Sequence, residues 1–161
     1  MIYNLKKFAR AGVGFGITSG VITTLGVITG LQSGTESAPI IIGGVITIAI
    51  ADAFSDALGI HTSEEAEGDA SIEIWTATIT AFLAKFITTA SFVIPFIIFN
   101  LGRAVVVSII WGTLLLAIFS YSMAKSEKKN PFYIITEHIL IAAIVIAITH
   151  YAGEYIGSRL R

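Results

Sequence analysis

Cysteine is absent from the 161-residue chain. This excludes a disulfide framework and any thiolate ligand, and leaves oxygen, imidazole and thioether groups as the donors for a metal. Charge is scarce as well: Lys, Arg, Asp and Glu make up 13% of the residues, the formal net charge is -1, and no long run of one sign exists. Without a basic face the chain has no footprint for nucleic acid. Linkers and low-complexity tracts are missing too, so residues 1–161 read as a single domain. Also absent are the H-E-x-x-H and G-x-S-x-G signatures, and the Glu137–His138 pair has no second histidine four residues on. An intramembrane metalloprotease or hydrolase therefore has no motif to stand on, and the chain reads as a non-enzyme.

What is there is apolar. Hydrophobic residues make up 55% of the chain, with a mean hydropathy of +0.84, more than a core of this size can bury, so lipid must solvate much of the surface. Five runs, 12–31, 38–60, 74–99, 104–124 and 134–156, are each about 20 to 26 residues long, enough to cross the hydrocarbon layer as helices. The expected fold is an all-α integral membrane protein of five transmembrane helices. The basic segment of Lys6, Lys7 and Arg10 ahead of the first run imitates a signal peptide, but the run is too long for one and four more follow, so it reads as a retained helix. Tyr3, Trp75, Tyr121, Tyr133, Tyr151 and Tyr155 fall near span ends, where aromatic rings anchor at headgroup level.

Orientation follows from the cationic loops. Lys6, Lys7, Arg10, Lys125, Lys128 and Lys129 share one face, and Arg103, Arg159 and Arg161 fall on the other. The N-terminus is therefore expected in the cytoplasm and the C-terminus outside. The acidic joint with Glu64, Glu65, Glu67, Asp69 and Glu73 then lies on the cytoplasmic side.

Asp52 and Asp56, one helical turn apart near the end of the second run, are the most informative residues, because a carboxylate in hydrocarbon is costly and is usually retained for a cation or proton path. Asp52, Ser55, Asp56, Gly59 and Ser63 share one helix face that continues to Glu67. The first run carries a comparable stripe of Gly12, Gly16, Ser19, Gly20 and Thr23, with Gly26 and Gly30 repeating the small-residue spacing that lets helices approach closely. Against a functional path stands a structural reading, in which the aspartates snorkel to the headgroups or pair with Lys85 in the third run. Lys85 is either half of a salt bridge, the favoured reading, or a built-in counter-ion that a metal or proton displaces. Interfacial Glu137, His138, His150 and Glu154 are weaker candidates for a proton relay or a metal contact.

The segment ADAFSDALGIHTSEEAE (51–67) resembles the second-helix signature of the vacuolar iron transporter family, the ferrous iron and manganese exporters of vacuoles and their prokaryotic relatives. SGVITTLGVITGL (19–31) is similar to the family's first-helix signature, and Pro95 in FVIPF, the five spans and the tyrosines and glycines of 150–157 agree. The resemblance covers essentially the whole chain. It implies a homodimer in which the first two helices of each subunit line a metal path, with proton antiport as the driving process. Ser19 stands where the family's first helix usually has aspartate, and Asp56 stands where its second helix has methionine. Carboxylate and hydroxyl oxygens suit Mn²⁺, Mg²⁺ or Ca²⁺ and bind Fe²⁺ without selectivity. The long glutamate-rich insert of many members is reduced here to 62–71.

The expected function is export of a divalent cation, Fe²⁺ or Mn²⁺, from the cytoplasm. His61, Glu64, Glu65 and Glu67 would collect the ion, and Asp52 and Asp56 with Ser19 and Thr23 would bind it. No resident cofactor is expected, and the partners are the metal substrate, lipid and a second copy of the chain. The competing reading is a non-transporting scaffold or partner subunit in which Asp52, Asp56 and Lys85 form an internal ion cluster.

Overall fold

The computed structural model describes residues 4–160; Tyr3 and Arg161, assigned above to a span end and to the second face, lie outside them. The described residues form six helices and no strand: α1 (Leu5–Thr35), α2 (Ala38–Glu67), α3 (Ser71–Ser91), α4 (Val93–Ile98), α5 (Leu101–Ser126) and α6 (Pro131–Leu160). Taking α3 and α4 together as one span, five are long and apolar enough to cross a membrane, and the chain is a multi-pass, all-α membrane protein.

The expected third span, 74–99, is not one continuous helix. Pro95 has no N–H to donate, and its ring crowds the carbonyl of Ser91. The helix therefore breaks at Phe92 and resumes as the short α4. The second span differs in the other direction, since α2 continues past Ile60 to Glu67 before Gly68 closes it at φ 80°, a left-handed cap that glycine adopts freely. Asn4 and Asn100 cap α1 and α5 through side-chain oxygens that accept from the Lys7 and Arg103 amides.

Helix α1 is the central element and packs against α2, α3, α5 and α6. In lipid the hydrophobic effect gives no gain for one apolar neighbour over another, so close backbone approach has to hold the bundle. Two glycine stripes on α1 provide it. A Cβ on Gly16 would lie 2.5 Å from the Ala81 carbonyl oxygen of α3, and one on Gly153 of α6 would lie 2.1 Å from the Gly30 oxygen of α1. Hydroxyl pairs follow the same seams: Thr24 to Thr89 at 3.2 Å and Thr29 to Thr149 at 2.9 Å. Val21, Leu25, Ile28, Ile41, Val45, Phe92 and Leu116 fill the core. The outer faces expose large side chains such as Phe54, Leu58, Ile97, Ile118 and Ile148, as lipid contact requires.

Candidate functional site

Three of the helices place a polar residue at nearly the same depth. Ser19 lies fourteen residues into α1, Asp52 fourteen into α2 and Lys85 fourteen into α3, each close to its span's midpoint. At 1.5 Å per residue that is about 21 Å along each helix. Gly16 lets α1 come close enough to α3 for these side chains to meet, since a Cβ there would be 2.8 Å from the Lys85 amide nitrogen.

Lys85 is only 1% exposed, and its ammonium is the hub. Its Nζ lies 2.5 Å from Asp52 Oδ2, makes a second, shorter ion pair with Asp56 Oδ2, and donates to Ser19 Oγ at 2.9 Å. Ser19 Oγ in turn donates to Asp56 Oδ2 at 2.6 Å. A lone ammonium here would be very costly, and this arrangement supplies two opposite charges and two hydrogen-bond acceptors, Ser19 Oγ and Asp56 Oδ2. Two carboxylates against one ammonium leave the cluster with a formal charge of minus one.

The expected site residues separate into groups. Ser19, Asp52 and Asp56 are brought together. Thr23 is one turn away, its hydroxyl bonded to the Ser19 carbonyl at 2.8 Å, and it lines an open groove of about 1050 Å³ between α1, α2 and α6 together with Asp52 and Ser55. Most of that groove is apolar, walled by Val27, Leu31, Ile48, Val145 and Ile156 among others. His61 turns away from the glutamates: its Nδ1 is 3.1 Å from Thr78 Oγ1 and its ring meets Trp75 edge-on. Glu65 is exposed.

Beyond the apolar run of α2, Glu64, Glu67 and Asp69 hold carboxylate oxygens within 4.8 Å of one another. The turn at Gly68 causes this, because the Asp69 amide donates back to the Glu64 carbonyl at 3.3 Å and folds Asp69 over the helix end. Burial first, then a hydrogen bond with Asp69, then the like charges of Glu67 and Asp69 hold the Glu64 carboxyl above its ordinary pKa, opposed by Lys7. The remaining candidates do not join either group. His138 Nδ1 is 2.7 Å from Ser120 Oγ, and His150 is exposed against Tyr151.

Two participants were not in the expected metal set: Lys85, singled out in the sequence as an ion-pair partner or a displaceable counter-ion, and Asp69. Mid-span position was the signal for Lys85. For Asp69 the signal was the E-G-D order, in which glycine turns the chain back.

Fold and cluster together define a multi-pass helical membrane protein with a buried ion cluster midway along three of its spans. No protein-family model matches the chain, and no curated protein matches it in sequence.

Proposed function

We propose that the protein is a transporter of divalent metal cations, Fe²⁺ or Mn²⁺, whose site is built on Asp52 and Asp56 with Ser19 and Thr23. The observation that carries this reading is the convergence of three oxygens from α1 and α2 on one cationic centre near the midpoints of the spans. Hydroxyl and carboxylate donors suit hard divalent ions, and an intramembrane carboxylate beside an open groove is the usual mark of an ion path. The resemblance to the vacuolar iron transporter family points the same way.

Export from the cytoplasm follows from the family resemblance together with the expected orientation. Arg10 donates to Ser126 Oγ at 3.0 Å, and the Asn4 amide donates to Glu73 at 2.7 Å. These contacts gather the basic start of α1, the basic end of α5 and the acidic joint on one face, which the positive-inside rule puts in the cytoplasm. Glu64, Glu67 and Asp69 would concentrate cations there. Proton antiport, the coupling that the family resemblance implies, would use the same carboxylates. A homodimer would close over the open side of α2, where Ile46, Ile50 and Phe54 stand exposed.

A second reading, a scaffold with an internal ion cluster, is favoured by Lys85 already satisfying both carboxylates. Flux of Fe²⁺ and Mn²⁺ into liposomes, with and without a pH gradient, separates the two. Gradient-dependent uptake that disappears in folded Asp56→Asn is the expected result. No uptake of either ion by folded wild type would leave the scaffold reading standing.

A further inference from the structure

We propose that Lys85 is a tethered occupant of the cation site: its ammonium sits where the divalent ion binds, and substrate enters by displacing it. This rests on the transporter reading and adds the residue that sets the site's occupancy.

A counter-ion for one carboxylate needs one contact. Lys85 makes three, hydrogen bonds to Ser19 Oγ and Asp56 Oδ2 and an ion pair with Asp52 Oδ2, so Nζ marks the point where three oxygens of α1 and α2 converge. The approaches to that centre differ. The ammonium arrives from α3 and is buried, whereas Asp52 is 32% exposed and lines the groove. The groove runs from Asp52 toward the C-terminal ends of α1 and α6, so Asp52 is the site carboxylate open to that side.

Charge makes the two occupants exclusive. A divalent ion together with the ammonium would put three positive charges on two carboxylates in a medium of low dielectric, whereas either cation alone leaves the cluster within one unit of neutrality. At Gly16 α1 lies directly against the α3 backbone beside Lys85. The four-carbon lysine stem is the part free to move. Substrate binding is thus an exchange of one cation for another, and a free carboxylate pair is never left without one.

The test is Lys85→Gln, which keeps a polar side chain of similar length and removes the charge. At fixed neutral pH, without metal, the variant should melt below wild type because two carboxylates lose their cation. Added Mn²⁺ should restore it, with a midpoint at least tenfold lower in Mn²⁺ than the wild-type response. An unchanged or weaker Mn²⁺ response overturns the proposal and makes Lys85 a structural counter-ion only. If Lys85→Gln does not fold, Asp52→Asn with and without Lys85→Gln gives the same comparison on a single carboxylate, and tighter Mn²⁺ binding in the double variant is expected. The two readings fail separately. Wild-type flux with no gain in Mn²⁺ affinity sinks this proposal alone, while a gain in affinity with no flux from either protein supports the shared cation position and removes transport.

Discussion

Ser19 and Asp56 are joined by a 2.6 Å hydrogen bond between α1 and α2, ending on the same carboxylate oxygen that receives the Lys85 ammonium. One oxygen thus ties three helices together. Because Asp52 also reaches Lys85, the two aspartates back each other up, and their loss should be strongly non-additive. Asp52→Asn or Asp56→Asn alone leaves Lys85 one charged partner and should cost about 1–2 kcal/mol. The double variant buries an uncompensated ammonium and should lose about 3–5 kcal/mol beyond the singles. Denaturant unfolding in one detergent checks this, and simple additivity would mean the ammonium finds another partner.

The helix crossings give a second contrast. Gly16→Ala and Gly153→Ala must push backbones apart, since the new Cβ atoms would fall 2.5 Å from the Ala81 oxygen and 2.1 Å from the Gly30 oxygen. Each should cost about 1–3 kcal/mol. Gly16→Ala should also pull Ser19 away from Lys85 and lower any Mn²⁺ response, because it lies against α3 one turn from the cluster. Gly43→Ala meets nothing within 4 Å, and higher helix propensity should make it neutral or stabilising by up to about 1 kcal/mol. Melting temperatures of the three variants order these effects.

The five spans were legible because lipid imposes a length and a polarity that composition alone reveals, and the small residues of α1 announced close packing. Partner choice was less legible. Gly12 and Gly16 serve α3 while Gly30 and Gly34 serve α6, a division that depends on where neighbours sit around a helix. Asp52 and Asp56 read as lying near the end of an apolar run, yet α2 continues two turns past Ile60 and places Asp52 at its middle. Hydropathy marks where apolar residues stop and not where a helix stops. His61, grouped with the glutamates by sequence spacing, instead bonds Thr78 on α3, a contact between helices that spacing along α2 could not show.

The acidic turn gives a pH-dependent prediction. The Glu64 carboxyl is held above its ordinary pKa, chiefly by burial and then by Asp69 and Glu67. Its folded value exceeds its unfolded one, so the associated stability is present at low pH and is lost as pH rises through the folded value. Glu64→Gln has no proton to lose. It should melt above wild type at about pH 8 and converge with it at about pH 4. If Glu64, Glu67 and Asp69 collect cations, added Mn²⁺ should stabilise wild type at the higher pH and narrow the gap. A constant difference across the range would mean Glu64 does not titrate with folding.

Two serines on the buried face of α5 should respond in opposite directions. Ser108 and Ser120 are both fully buried on the stripe that runs through Gly112 and Leu116. Ser120 Oγ meets His138 Nδ1 at 2.7 Å and so links α5 to α6. Ser108 Oγ has no hydrogen-bond partner among the described residues. Removing a hydroxyl that is buried and unpaired recovers its desolvation penalty, so Ser108→Ala should stabilise by about 1 kcal/mol. Ser120→Ala strands the histidine nitrogen and should destabilise by about 1–3 kcal/mol. Thermal unfolding of both variants in the same detergent decides the point. Equal losses would show that the Ser108 hydroxyl is satisfied in the folded protein, by its own helix or by a bound water.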